Sequence, residues 1–166
     1  MSSEHPLAAL QIALFEPRIP PNTGCVARTC AAFKLPLHLI EPLGFSLEDR
    51  YLKRAGLDYW PHVDLSVHKD FSSFFASLNL RHRLIGCSRS GAISLHDMRF
   101  QNGDVLLFGR EDTGLPQFIR EQCAQMVMIP MPGSANSSGK GGVRSLNLAV
   151  AQAVISIEAG HQLGLW

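Results

Sequence analysis

Five short apolar runs punctuate the chain: Leu10–Phe15, Leu37–Ile40, Arg83–Cys87, Val105–Phe108 and Met126–Ile129. They are nearly continuous rather than alternating, as strands buried on both faces are. Val63–Val67 alternates weakly and reads as a further short strand. Stretches of helical spacing separate these runs: Asn22 to about Lys34, Leu47–Arg54, Phe71–Leu78, Pro116 to about Ala124, and Ser145 to about Ala159. Asn22 reads as the N-cap of the first helix, and Pro116 suits a first helical turn. Strands alternating with helices predict an α/β fold, a parallel sheet flanked by helices on both faces.

The last helix carries two apolar stripes. Leu146, Val150, Val154 and Ile157 form one, and Leu148, Ala151 and Ile155 the other. A helix apolar nearly all round needs cover on both sides. In a chain of 166 residues, which fits one domain, a second copy is the expected cover, and we expect a homodimer.

Composition narrows the function by exclusion. No run reaches the roughly 18 apolar residues of a membrane helix, and the start MSSEHPLAALQ has no basic segment followed by a long apolar one. The four cysteines, Cys25, Cys30, Cys87 and Cys123, form no C-x-x-C pair. They read as small buried hydrophobes in a reducing cytoplasm. None of the seven histidines has metal-ligand spacing, so no metal is expected. A net charge of +1 gives no broad basic field for nucleic acid.

In an open parallel sheet, ligands sit beyond the C-terminal ends of the strands. Three loops fall there: Cys87-Ser88-Arg89, Gly109-Arg110-Glu111, and the segment from Ile129 to Ser145. Together they could wrap one adenosine-like ligand. Gly133 to Lys140 resembles a phosphate-binding loop, but five residues separate its glycines and Gly141 follows the lysine. The required spacing and the magnesium-binding hydroxyl are both missing. No Gly-x-Ser-x-Gly elbow is present. Arg28, one turn after Gly24 and behind Asn22, is a candidate to hold a phosphate or an anionic transition state. Arg50, Lys53 and Arg54 are interleaved with Tyr51, Tyr59 and Trp60, a mixture suited to single-stranded RNA or to an ordinary solvated helix face.

Three motifs in order carry a resemblance: Asn22-Thr-Gly24-Cys-Val-Ala-Arg28, then Leu107-Phe-Gly109-Arg-Glu111-Asp-Thr-Gly114-Leu-Pro116, then Ile129-Pro-Met131 with Arg144-Ser145-Leu146-Asn147-Leu148. From about Gln11 to Gly164 the sequence resembles the SPOUT (α/β-knot) RNA 2′-O-methyltransferases. Within them it is similar to the small subfamily acting on the tRNA wobble nucleotide, cytidine or uridine 34, whose pattern Arg54-Ala-Gly-Leu-Asp-Tyr59-Trp60 also matches. The resemblance implies a deep C-terminal trefoil knot, an exception to the rule against threaded chains. It implies S-adenosyl-L-methionine held at Cys87, Gly109, Glu111, Ile129, Met131 and Ser145. It also implies a homodimer through the first and last helices, and a tRNA anticodon stem-loop as substrate. The family assigns Arg28 to activate the ribose hydroxyl, yet an arginine is effectively always charged. A clamp on the RNA phosphate and the developing alkoxide fits it better. Asn22 would orient the ribose, with Glu111, Ser145 and Asn147 holding the loops and substrate in register. Arg28, Arg50, Lys53, Arg54, Tyr59 and Arg144 would contact RNA. Pro132–Val143 is longer than the usual connection and is expected to serve as a lid or to add an RNA contact through Lys140. Ribosomal RNA as substrate, and a non-catalytic RNA-binding module, are the alternatives.

Overall fold

The computed structural model describes residues 7–50, 52, 54, 59–134 and 141–166. Strands β1 (Leu10–Phe15), β2 (Leu37–Ile40), β3 (Leu65–His68), β4 (Arg83–Cys87), β5 (Ile93–Ser94), β6 (Asp104–Phe108) and β7 (Gln125–Met128) form one sheet, in the order β3-β2-β1-β6-β4-β7-β5. Every pairing is parallel. The helices are α1 (Pro20–Phe33), α2 (Phe71–Ser77), α3 (Gln117–Arg120) and α4 (Leu148–Gln162).

The pleat of β1 sorts its side chains into two cores. Leu10, Ile12 and Leu14 pack with Val26, Ala27 and Cys30 of α1 and with Ile155 and Ala159 of α4. Ala13 and Phe15 face the other way, onto Phe74 of α2 and Ile119 of α3. Both faces are covered, as the continuous apolar runs require.

Several local expectations need correction. Helix α1 begins at Pro20, with Ile19 at the N-cap and no side-chain cap. Prolines fit the first turn because its N–H groups lack helical partners anyway, so Pro20 and Pro21 start the helix rather than delay it. Asn22 is therefore inside the first turn. Helix α4 begins at Leu148, not Ser145, because the Asn147 side chain accepts from the Ala149 and Val150 N–H groups. Helix α3 is a single turn with Pro116 as its N-cap. The third strand is Leu65–His68 rather than Val63–Val67, and β5 forms at Ile93–Ser94, where no strand was expected. Of the expected helix Leu47–Arg54, residues Arg50, Leu52 and Arg54 are helical, whereas Tyr51 and Lys53 lie outside the described residues.

Strand β7 lies between β4 and β5, although β5 precedes it in the chain. The link from β4 to β5 therefore crosses the end of β7. Ser88 N–H donates to the Val127 carbonyl (3.0 Å) and Leu95 N–H to the Met128 carbonyl (2.8 Å). Gly91 lies so close to the Val127–Met128 backbone that a Cβ would collide with it. The chain leaving β7 must pass this link before α4 packs on α1.

Polar groups near the N-terminal ends of the strands are paired off. Asp104, fully buried, accepts from Arg83 Nε (2.7 Å) and Nη2 (2.8 Å) and from Gln101 N–H (2.9 Å). The Gln11 amide bridges His38 (2.7 Å) and His82 (2.9 Å), and His38 lies 2.9 Å from His68. Burial, reinforced by His68, pulls the His38 pKa down to about 4. Burial lowers those of His68 and His82 as well. Outward from the core, Val150, Val154 and Ile157 of α4 are exposed, as is Leu146 just before its cap. Among the described residues no helix is long and apolar enough to cross a membrane.

Candidate functional site

The C-terminal ends of β4, β6 and β7 open into a cavity of about 700 Å³, within the range that holds small organic ligands. Cys87 ends β4, Phe108 ends β6 with Gly109 next, and Ile129 and Met131 follow β7; all line it, as do Asn22, Glu111, Ser145 and Asn147. Leu115, Leu148 and Ile155 supply apolar wall, while Ser88, Arg110 and Arg120 bring polar groups to the same space.

The second motif makes a tight loop with a reason for each glycine. A Cβ on Gly109 would run into the Gly114 and Leu115 backbone, and Arg110 and Gly114 form an isolated antiparallel bridge. Gly114 has φ +69°, a left-handed conformation that favours glycine. The loop aims Glu111 back at the segment entering α1. Its Oε2 accepts from Arg18 N–H (2.9 Å) and its Oε1 from Ile19 N–H (3.2 Å). Glu111 thus satisfies backbone donors just before the helix that carries Asn22 and Arg28.

The third motif closes on the first. Asn147 Nδ2 donates to Asn22 Oδ1 (2.8 Å), while Asn147 Oδ1 caps α4. One side chain therefore fixes the start of α4 and ties it to the first turn of α1. The near-buried Asn22 is held by this bond rather than serving as a cap.

Charges at the rim differ in how they are occupied. Arg110 is bidentate to Asp112 (2.9 and 2.7 Å) and lies 3.6 Å from Glu16; Asp112, in turn, is held well below the usual carboxylate range by Arg110. Arg120, which sequence reasoning missed, donates to Ser88 Oγ and the Ser90 carbonyl (both 3.0 Å) and so braces the link that crosses β7. Its only sequence signal was a cation ending the short helix after Pro116. Burial, then Cys123, raises the Cys87 thiol well above its ordinary value, making it a neutral wall of the cavity. Arg28 is exposed and outside the lining, with its Cζ 4.5 Å from the centroid of the Tyr59 ring. Arg50, Arg54 and Arg144 are exposed and likewise not in the lining. Lys53 and Lys140 lie outside the described residues, as does most of the Gly/Ser-rich tip. Among the described residues no cluster of three or more His, Cys, Asp or Glu could hold a metal ion.

The sequence profile of the SpoU rRNA Methylase family matches residues 9–157. A Methylovorus glucosotrophus protein named tRNA (cytidine(34)-2′-O)-methyltransferase is 42% identical over 91% of this chain and 94% of its own. An Escherichia coli K12 protein of the same name is 40% identical over 93% of this chain and 94% of its own. A solved structure described as "Structural insights into the 2-OH methylation of C/U34 on tRNA" is 50% identical, with TM-score 0.85, covering 93% of this chain and 96% of that one.

Proposed function

Because the chain belongs to the SpoU rRNA methylase family, we propose that it methylates the ribose 2′-hydroxyl of the wobble nucleotide, cytidine or uridine 34, in tRNA. The observation that carries this reading is that one cavity gathers all three motifs, stitched together by Glu111 to Arg18 and Ile19 and by Asn147 to Asn22. Relatives bearing that activity in their names match over nearly the whole chain.

The cavity fits S-adenosyl-L-methionine by size and by its mixed lining: apolar wall for a purine, backbone polar groups at the strand ends for its edges. When bound, the cofactor supplies a sulfonium methyl, an electrophile that needs no metal because its leaving group is a neutral thioether. Cys87, Gly109, Glu111, Ile129, Met131 and Ser145 would shape its seat.

The protein's own work is positioning and charge. A guanidinium keeps its proton near neutral pH, so Arg28 holds the RNA phosphate and stabilises the oxygen that gains charge during attack. Asn22, fixed by Asn147, orients the ribose, and Ser145 at the same rim keeps it in register. Arg50, Lys53, Arg54 and Arg144 would add phosphate contacts over the anticodon stem-loop.

Two further elements belong to this reading. The β4–β5 link across β7 supports a C-terminal trefoil knot. The exposed apolar stripe of α4, beside α1, supports a homodimer through these helices. The compartment proposed is the cytoplasm, where tRNA substrate and free thiols coexist.

The test is methyl transfer from labelled cofactor to total tRNA lacking wobble ribose methylation, with the modified nucleotide mapped by mass spectrometry. A 2′-O-methyl group at position 34 is expected, with the rate reduced about 10²–10³-fold in Arg28→Ala. Label in ribosomal RNA but not tRNA would replace the substrate.

A further inference from the structure

Among the described residues, Arg28 of the first motif lies beside no anion, unlike Arg110 of the second. Arg110 is taken by Asp112 and Glu16, and Arg18 lies 3.7 Å from Glu16. Among the described residues, Arg28 makes no ion pair; its partner is the face of Tyr59, at 4.5 Å. Tyr59 itself is anchored. Its carbonyl accepts from His62 N–H (2.8 Å), starting the short 3₁₀ turn Trp60–His62, and Trp60 packs onto the α1-side core.

We infer that Tyr59 is a positioning residue, whose ring face holds the Arg28 guanidinium in place while leaving its N–H groups free for the substrate. The inference rests on the role proposed for Arg28. A carboxylate that ordered Arg28 would fill its fork of donors and cancel its charge. A ring face attracts the cation through its quadrupole, and a centroid within about 6 Å suffices. The five N–H groups point outward in the guanidinium plane, so an arginine lying over a ring keeps its donors available. A long exposed side chain is then ordered before substrate arrives, and less of its rotamer freedom is lost during reaction. Tyr59 was expected to contact RNA directly; this geometry gives its ring an occupant within the protein.

The experiment compares Tyr59→Phe, Tyr59→Leu, Arg28→Ala and the Tyr59→Leu/Arg28→Ala double variant. Single-turnover methyl transfer to full-length tRNA and equilibrium tRNA binding are both measured. Tyr59→Leu is expected to slow transfer at saturating tRNA about tenfold, with tRNA Kd within about twofold. Tyr59→Phe should restore the rate to within about twofold, because the ring and not the hydroxyl is needed. In the Arg28→Ala background Tyr59→Leu should change the rate less than about twofold. A Kd raised tenfold or more with the saturated rate intact would make Tyr59 a platform for an RNA base and overturn the inference. An equal loss with and without Arg28 would overturn it too. A second readout does not depend on turnover: the Arg28 side-chain resonances should be shifted upfield by the ring in the wild type and return toward free-arginine positions in Tyr59→Leu. No upfield shift in the wild type defeats the inference whatever tRNA does. A shift that is present while no tRNA is methylated upholds it and overturns only the wobble substrate.

Discussion

At the N-terminal end of the sheet, Arg83 meets a fully buried Asp104 through two hydrogen bonds, and the Gln11 amide bridges His38 and His82. At the C-terminal end, Ser145 is exposed at a cavity and a glycine loop lets backbone approach backbone, and beyond the cavity, on α1, Arg28 lies against a ring. The residue types overlap, but the bookkeeping of partners is opposite. Where donors and acceptors are satisfied internally, polar groups hold the fold and offer nothing to a ligand. Where they stay open, they cost stability and can act on a substrate. The parallel sheet makes this division possible, since its loops at one end gather the motifs while the other end can be sealed.

The sharpest way to break this contrast is at the sealed end. Asp104→Ala strands the Arg83 charge and should lower unfolding free energy by about 3–5 kcal/mol, measured by urea denaturation; a loss confined to activity would refute the division. At the open end, Glu111→Gln keeps one acceptor but turns a donor toward the second N–H. It should slow methyl transfer about tenfold, with a smaller loss of stability than Asp104→Ala. Acid probes the histidine cluster. The folded His38 resists protonation down to about pH 4, whereas the unfolded chain takes that proton near pH 6.5. Its contribution is therefore intact above about pH 6.5 and lost as pH falls toward 4. Between pH 7 and pH 5 about 2 kcal/mol should disappear, and His38→Gln should flatten that slope in denaturant midpoints. Smallest, Asn147→Ala removes the α4 cap and should cost about 1 kcal/mol of stability. It also frees Asn22, so its effect on transfer rate should exceed what that loss explains.

Much of the fold was legible along the chain. The observed bounds of β1, β2 and β4 coincide with apolar runs, because a strand buried on both faces writes itself as such a run. Strand β5 could not be read: Ile93 and Ser94 are two half-buried residues that pair only with β7, so the partner and not the segment defines them. Helix starts were misplaced for local reasons. Leu146 continues the apolar spacing of α4 past its cap, and Pro20-Pro21 reads as a breaker as readily as a first turn. In the site, Cys87, Gly109, Glu111, Ile129, Met131 and Ser145 line one cavity at the strand ends where an open parallel sheet places its ligand loops. The Glu111 bonds to Arg18 and Ile19, the Arg120 brace and the Gln11–His38 bridge join positions far apart in sequence, and no local pattern announces such partners.

The strand order has a consequence for how this protein is made. During synthesis β1 emerges early, but its neighbour β6 follows only after Phe108, and the gap between β4 and β5 stays open until Met128 has left the ribosome. A nascent chain thus exposes unpaired strand edges for most of its translation. No N-terminal fragment ending before β7 can complete the sheet. Long-range parallel pairing of this kind is slow, so the chain depends on its last third to complete the sheet, and a ribosome stalled late in the message would leave an aggregation-prone product.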